Sequence, residues 1–168
     1  MPKRAESDKP GGKPFRKEKA SMDTIFESLQ QTTHRLNSTA DAANELIRSA
    51  NERLAEIGAG VPYASNKCEL SRESHSKYDE AADIEVDAGY DVEVLSYGKI
   101  YGTWQLGIEL RHFVPGEMGP AEGYDFVGTD DLPLLNADRE IRIRAAAKLP
   151  AFLQEYRDYL EDLADELS

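Results

Sequence analysis

The chain has 168 residues, 40% hydrophobic and 31% charged, enough for one domain with a real core and too few for two comfortable ones. Its single cysteine, Cys68, excludes an internal disulfide, and no stretch reaches the length of a membrane span. The formal net charge is −12. Residues 1–20 hold seven basic and three acidic side chains, a net of +4, so the rest of the chain carries −16. A body that acidic repels phosphate backbones, which argues against nucleic-acid binding except through the basic tail. The N-terminus lacks the apolar core of a signal peptide, so a cytoplasmic location is the default expectation.

Residues 1–20 include Pro2, Pro10, Gly11, Gly12 and Pro14 and almost nothing apolar. They cannot bury enough surface to offset the entropy of ordering, and read as a disordered basic tail. Residues 21–168 read as one α+β domain.

From Ser21, a plausible N-cap, the pattern changes. Met22, Leu29, Leu36, Ala43, Ala50 and Ile57 recur every seven residues, and Phe26, Thr33, Ala40, Ile47 and Leu54 form a second series offset by four. The two make a heptad seam and predict one helix over 21–57, closed by Gly58, Gly60 and Pro62. The seam's middle is small or polar. Gln30, Asn37, Asn44 and Asn51 line its flank, where a dimeric coiled coil usually carries charge. Read plainly, these amides are solvated; read functionally, they form a ladder facing a partner.

Residues 59–82, rich in Ser, Asn, Lys and Glu, read as a long loop holding Cys68 and His75. Residues 83–114 read as antiparallel strands. Asp83–Asp87 and Tyr90–Val94 alternate, and Trp104, Leu106, Ile108 and Leu110 alternate with polar residues on a core-facing strand. Tyr101-Gly102 suggests a hairpin. A two-residue turn puts Leu95 and Tyr97 on the Trp104 face; a three-residue turn puts Val92, Val94 and Ile100 there. Residues 115–135 read as a second loop with a short strand at 124–127. A C-terminal helix follows over 136–167, with Asn136 as N-cap and Pro150 inside it, where the helix must kink or break. The expected fold is therefore α+β, with a long N-terminal helix and a long kinked C-terminal helix on one face of a small antiparallel sheet.

Few residues suggest chemistry. Arg139 and Arg142 fall on the inward seam of the last helix, and inward guanidiniums need acceptors. Either they pair with carboxylates such as Glu93, Asp130 or Asp131, or they grip a small anion at the helix start. The acids Asp83, Glu85, Asp87, Asp91 and Glu93 read as a solvated sheet face rather than a metal site. Cys68 and His75 match no zinc spacing, and a Cys–His nucleophile pair has no supporting signature. There is no nucleophile elbow, P-loop or dinucleotide fingerprint, and no cofactor or metal is expected.

The chain therefore reads as a non-catalytic interaction or assembly protein. Its long helix is the contact surface, through Leu29, Leu36, Ile47 and Leu54, with a homodimer or another protein as partner. An acidic inhibitor, immunity-type or nucleic-acid-mimic protein that engages a basic partner is the alternative. A small-anion-binding protein or enzyme built on Arg139 and Arg142 is a third.

Overall fold

The computed structural model describes residues 22–116 and 123–168. The basic tail and the Ser21 cap lie outside the described residues. Six elements follow in order: α1 (Met22–Ile57), β1 (Tyr63–Asp79), β2 (Ile84–Ile100), β3 (Thr103–Pro115), β4 (Tyr124–Pro133) and α2 (Arg139–Glu166), with a 3-10 turn at Leu134–Asn136 before α2. The fold is α+β, two helices against a four-stranded antiparallel sheet in the order β1-β2-β3-β4. By contacts the chain divides into residues 22–35 and the unit Leu36–Ser168. The first is a helical segment with Met22, Ile25, Phe26 and Leu29 exposed.

In the larger unit the heptad seam of α1 turns inward. Ala40, Ala43, Ile47, Ala50 and Leu54 are all buried, and Ile47, Ala50 and Leu54 join the core. Leu149, Phe152 and Tyr156 bring α2 onto the same core beside Leu95, Tyr97, Leu106 and Ile108. The Asn37–Arg139 hydrogen bond joins the two helices at one end. Leu54 and Ile57 share a hollow with Leu153 and Leu160 at the other, so the helices run side by side in the same direction. α2 continues through Pro150 without a break in its assignment. Its N-cap is Asp138, while Asn136, expected in that role, belongs to the 3-10 turn.

The hairpin register is the two-residue one. Ile100 pairs with Thr103, Tyr97 with Leu106 and Leu95 with Ile108. Tyr101 and Gly102 both take positive φ, 51° and 85°, the primed geometry whose twist matches the flanking strands. Val92, Val94 and Ile100 are buried as well, on the opposite face. There Gly107 is required by close approach, since a Cβ would stand 2.2 Å from Ile100 Cδ1 and 3.0 Å from the Leu132 carbonyl oxygen.

Two loop expectations are corrected. Residues 59–82 contain β1, a 17-residue strand, and 115–135 contain β4, which runs through Pro133 rather than stopping at 127. The β1–β2 ladder carries three register shifts: the first two leave extra residues on β1, within 64–69 and 69–71, and the third leaves Ala88 of β2 as the extra residue opposite His75 and Ser76. The bulge around residues 64–69 is held from both sides. Ser65 Oγ accepts from the Lys67 and Cys68 N–H groups and donates to Glu155 of α2 at 2.6 Å.

Candidate functional site

The side chains with chemical potential fall at four places. At the start of α2, Arg139 Nη1 donates to Asn37 Oδ1 at 2.8 Å, and Arg142 Nη1 donates to the Ala137 carbonyl. Among the described residues neither forms an ion pair. Arg142 Nε is buried without a hydrogen-bond partner. The expected pairing with Glu93, Asp130 or Asp131 is therefore not formed. Glu93 takes the Ser71 hydroxyl instead, and Asp130 faces His112. The Arg142 guanidinium folds back on the turn that leads into its own helix, which satisfies Nη1 but not Nε. A residue's seam phase gives the direction of its Cα–Cβ bond, not the course of a three-carbon stem.

Across the sheet runs a ladder of alternating imidazoles and carboxylates, one residue from each strand. His75 Nε2 of β1 lies 3.0 Å from Asp91 Oδ2 of β2, and Asp91 Oδ1 lies 2.9 Å from His112 Nδ1 of β3. His112 Nε2 is 3.5 Å from Asp130 Oδ2 of β4. With a carboxylate at each ring nitrogen, His112 is suited to donate from both, which is the imidazolium form. Its pKa is raised, first by the hydrogen bond to Asp91, and the Asp91 carboxyl is correspondingly lowered, first by that same bond. The ladder can hold protons, but the chain's thiol does not join it. Cys68, expected in the same loop as His75, is buried under α2, with its Sγ 4.0 Å from both the Lys148 carbonyl and Glu155 Oε1. Among the described residues no three His, Cys, Asp or Glu side chains are placed to hold a metal ion.

Two hollows also lie in the Leu36–Ser168 unit. One, of about 470 Å³ near the β2–β3 turn, is lined by Ser96, Lys99, Trp104, Glu109 and Asp131 among others. Glu109 and Asp131 oppose each other across β3 and β4, and the Asp131 carboxyl is raised by burial and then by the charges of Glu109 and Asp130. The other, of about 610 Å³, lies between α1 and α2 and is walled by Leu46, Leu54, Ile57, Leu149, Leu153 and Leu160. Arg53 and Arg157 are the charged residues in its lining.

Of the four residues read as contact surface, Ile47 and Leu54 belong to the chain's own core, whereas Leu29 and Leu36 are 55% and 40% exposed. The amide row is partly internal. Asn37 accepts from Arg139, and Asn51 Oδ1 accepts the Leu106 backbone N–H at 2.7 Å. The histidine ladder was not legible in the sequence, because it depends on the pairing of a strand whose alternation is broken by bulges.

The fold and these sites define an acidic α+β protein without a recognisable catalytic constellation among the described residues. The chain matches no protein-family model, and searches of curated proteins and of solved structures return no significant match. No described helix is long and apolar enough to cross a membrane.

Proposed function

We propose that this chain is a non-catalytic interaction or assembly protein whose contact surface is the part of the apolar seam and flank of α1 that its own core leaves exposed, with self-association as the first association to test. The observation that carries this reading is the apolar material left on that helix after its core face is satisfied. Leu29, Leu36, Leu46 and Ile57 are 55%, 40%, 47% and 73% exposed. Leu46 and Ile57 open onto the apolar hollow beside α2. Exposed apolar stripes of this kind mark interaction surfaces more often than they occur idly. Sedimentation equilibrium at micromolar concentration is the test. The expected result is a mass above that of one chain, returning to monomer in a Leu29→Glu/Leu36→Glu variant with unchanged circular dichroism. A clean monomer mass for the unaltered chain refutes self-association.

The alternative, an acidic protein that engages a basic partner, is supported by the −16 carried outside the first 20 residues. The third reading, an anion site at Arg139 and Arg142, is supported by the unpartnered Arg142 Nε alone. Salt-sensitive capture of a basic partner by the full chain favours the second reading over the first.

A further inference from the structure

We propose that the outer edge of β4 is a strand-addition site for an extended, Lys- or Arg-bearing segment of a partner protein. This surface is separate from α1 and goes beyond the association proposed through that helix.

β4 is the last strand in the sheet, paired with β3 on one side. Nothing among the described residues pairs with its other side. Ten residues of extended chain offer an edge of about 30 Å, along which alternate backbone groups point outward. The opposite edge of the sheet is treated differently. On β1 the Glu69 carbonyl accepts from Lys148 and the Leu70 carbonyl accepts from Arg144, so α2 side chains already occupy it there.

The chemistry of the strand selects the occupant. Tyr124–Pro133 contains Asp125, Asp130 and Asp131 and no Lys, Arg or His. By the pairing register, Asp125 and Asp130 project toward the His112 side of the sheet, while Phe126 and Asp131 project toward the other. Phe126 and Val127 are 57% and 58% exposed. A second copy of β4 would bring its own three aspartates against these, and like charges facing each other across strands destabilise the pair. A segment with cationic side chains on alternate positions sets them all on one face, against Asp125 and Asp130, and its apolar side chains on the other, over Phe126. Main-chain hydrogen bonds then supply affinity, and the aspartates supply selection. Salt bridges alone would not need an extended partner; an open edge does.

The test uses the full chain, isotopically labelled, titrated with a decapeptide of alternating Lys and Val. Two control peptides accompany it: a Glu-Val counterpart, and a Lys-Pro counterpart of the same charge in which proline forbids strand pairing. The expected result is saturable shifts in the amides of residues 124–133, with slowed hydrogen exchange there. Binding should be at least tenfold weaker for the Lys-Pro peptide and absent for Glu-Val. Asp125→Asn/Asp130→Asn should weaken Lys-Val binding about tenfold while leaving the melting temperature near that of the unaltered chain. Asp125→Lys/Asp130→Lys should move the preference toward Glu-Val. Equal binding of Lys-Val and Lys-Pro, shifts concentrated on the acidic end of α2, or no saturation by about 1 mM each overturn the proposal. None of these outcomes bears on the mass measured by sedimentation, so the two proposals stand or fall separately.

Discussion

Asp91 faces two imidazoles at once, and that sharing ties three strands through one carboxylate. His112, raised above the ordinary value near 6.5, stabilises the fold fully below that value and loses its contribution as pH rises through the higher folded one. Asp91, lowered from its ordinary value near 3.8, contributes fully above it and loses the contribution as pH falls through the lower folded one. Stability from the ladder is therefore greatest between about pH 4 and 6.5 and declines on both sides. The urea midpoint followed against pH should show both limbs in the unaltered chain and both diminished in Asp91→Asn, the remainder coming from Asp130 on the alkaline side and from Asp87 and Glu69 on the acid side. Limbs of undiminished size in that variant would place their origin elsewhere. A second residue-scale prediction concerns Tyr156, whose hydroxyl donates toward the Val61 carbonyl at 2.7 Å, with the Ala59 carbonyl at 3.1 Å. Burial, and then the neighbouring Tyr97, push this phenol up to about 12. Tyr156→Phe should cost about 1–2 kcal/mol in denaturant unfolding, because two carbonyls lose their common donor. Spectrophotometric titration should lose the most alkaline phenol.

At the scale of elements, the hairpin and the first helix make the sharpest predictions. Asn51→Ala leaves the Leu106 N–H without its acceptor and should cost about 1–3 kcal/mol. Gly107→Ala forces Ile100 and the Leu132 carbonyl apart and should cost about 1–3 kcal/mol by thermal or chemical unfolding. Trp104 is half-buried, stacked on Tyr97 at a centroid distance of 5.6 Å, so it is a lid over the end of the core rather than its centre. Trp104→Ala should cost about 2 kcal/mol, below the range for a fully enclosed indole. These elements also show what the sequence can carry. The α1 seam was legible because 36 residues repeat one period without Gly or Pro. The β3 alternation was legible because one face is apolar from Trp104 to Leu110. β1 was not, since its bulges break the period and nearly all of its exposed residues are polar. β4 was legible only at its start, 124–127, since the edge-strand side chains beyond lie mostly in water and carry little burial signal. The site residues followed the same rule. Arg139 and Arg142 were placed at the right position on the right helix, but their partners, Asn37 and Ala137, depend on tertiary and turn geometry that no periodicity encodes.

For the molecule as a whole, the shared direction of α1 and α2 has an electrostatic consequence. Each helix carries a partial negative charge of about half a unit at its C-terminus. In most paired helices a neighbour's positive end offsets it; here both negative ends lie toward the same end of the Leu36–Ser168 unit. Neither helix has a basic residue in its last turn, and α2 instead ends through Glu161, Asp162, Asp165 and Glu166. That end is a negative pole at which dipole and side-chain charge add. Protonation or screening should relieve it, so amide exchange in the last turn of α2, compared at constant intrinsic rate, should slow when pH falls from about 7 to 4 or when salt is raised to about 1 M. A last turn that exchanges alike under all three conditions would mean that the pole is already neutralised by another group. If the pole is real, the unit is a dipole in its own right, and a cationic surface approaching it would be turned to meet the helix ends before any side chain made contact.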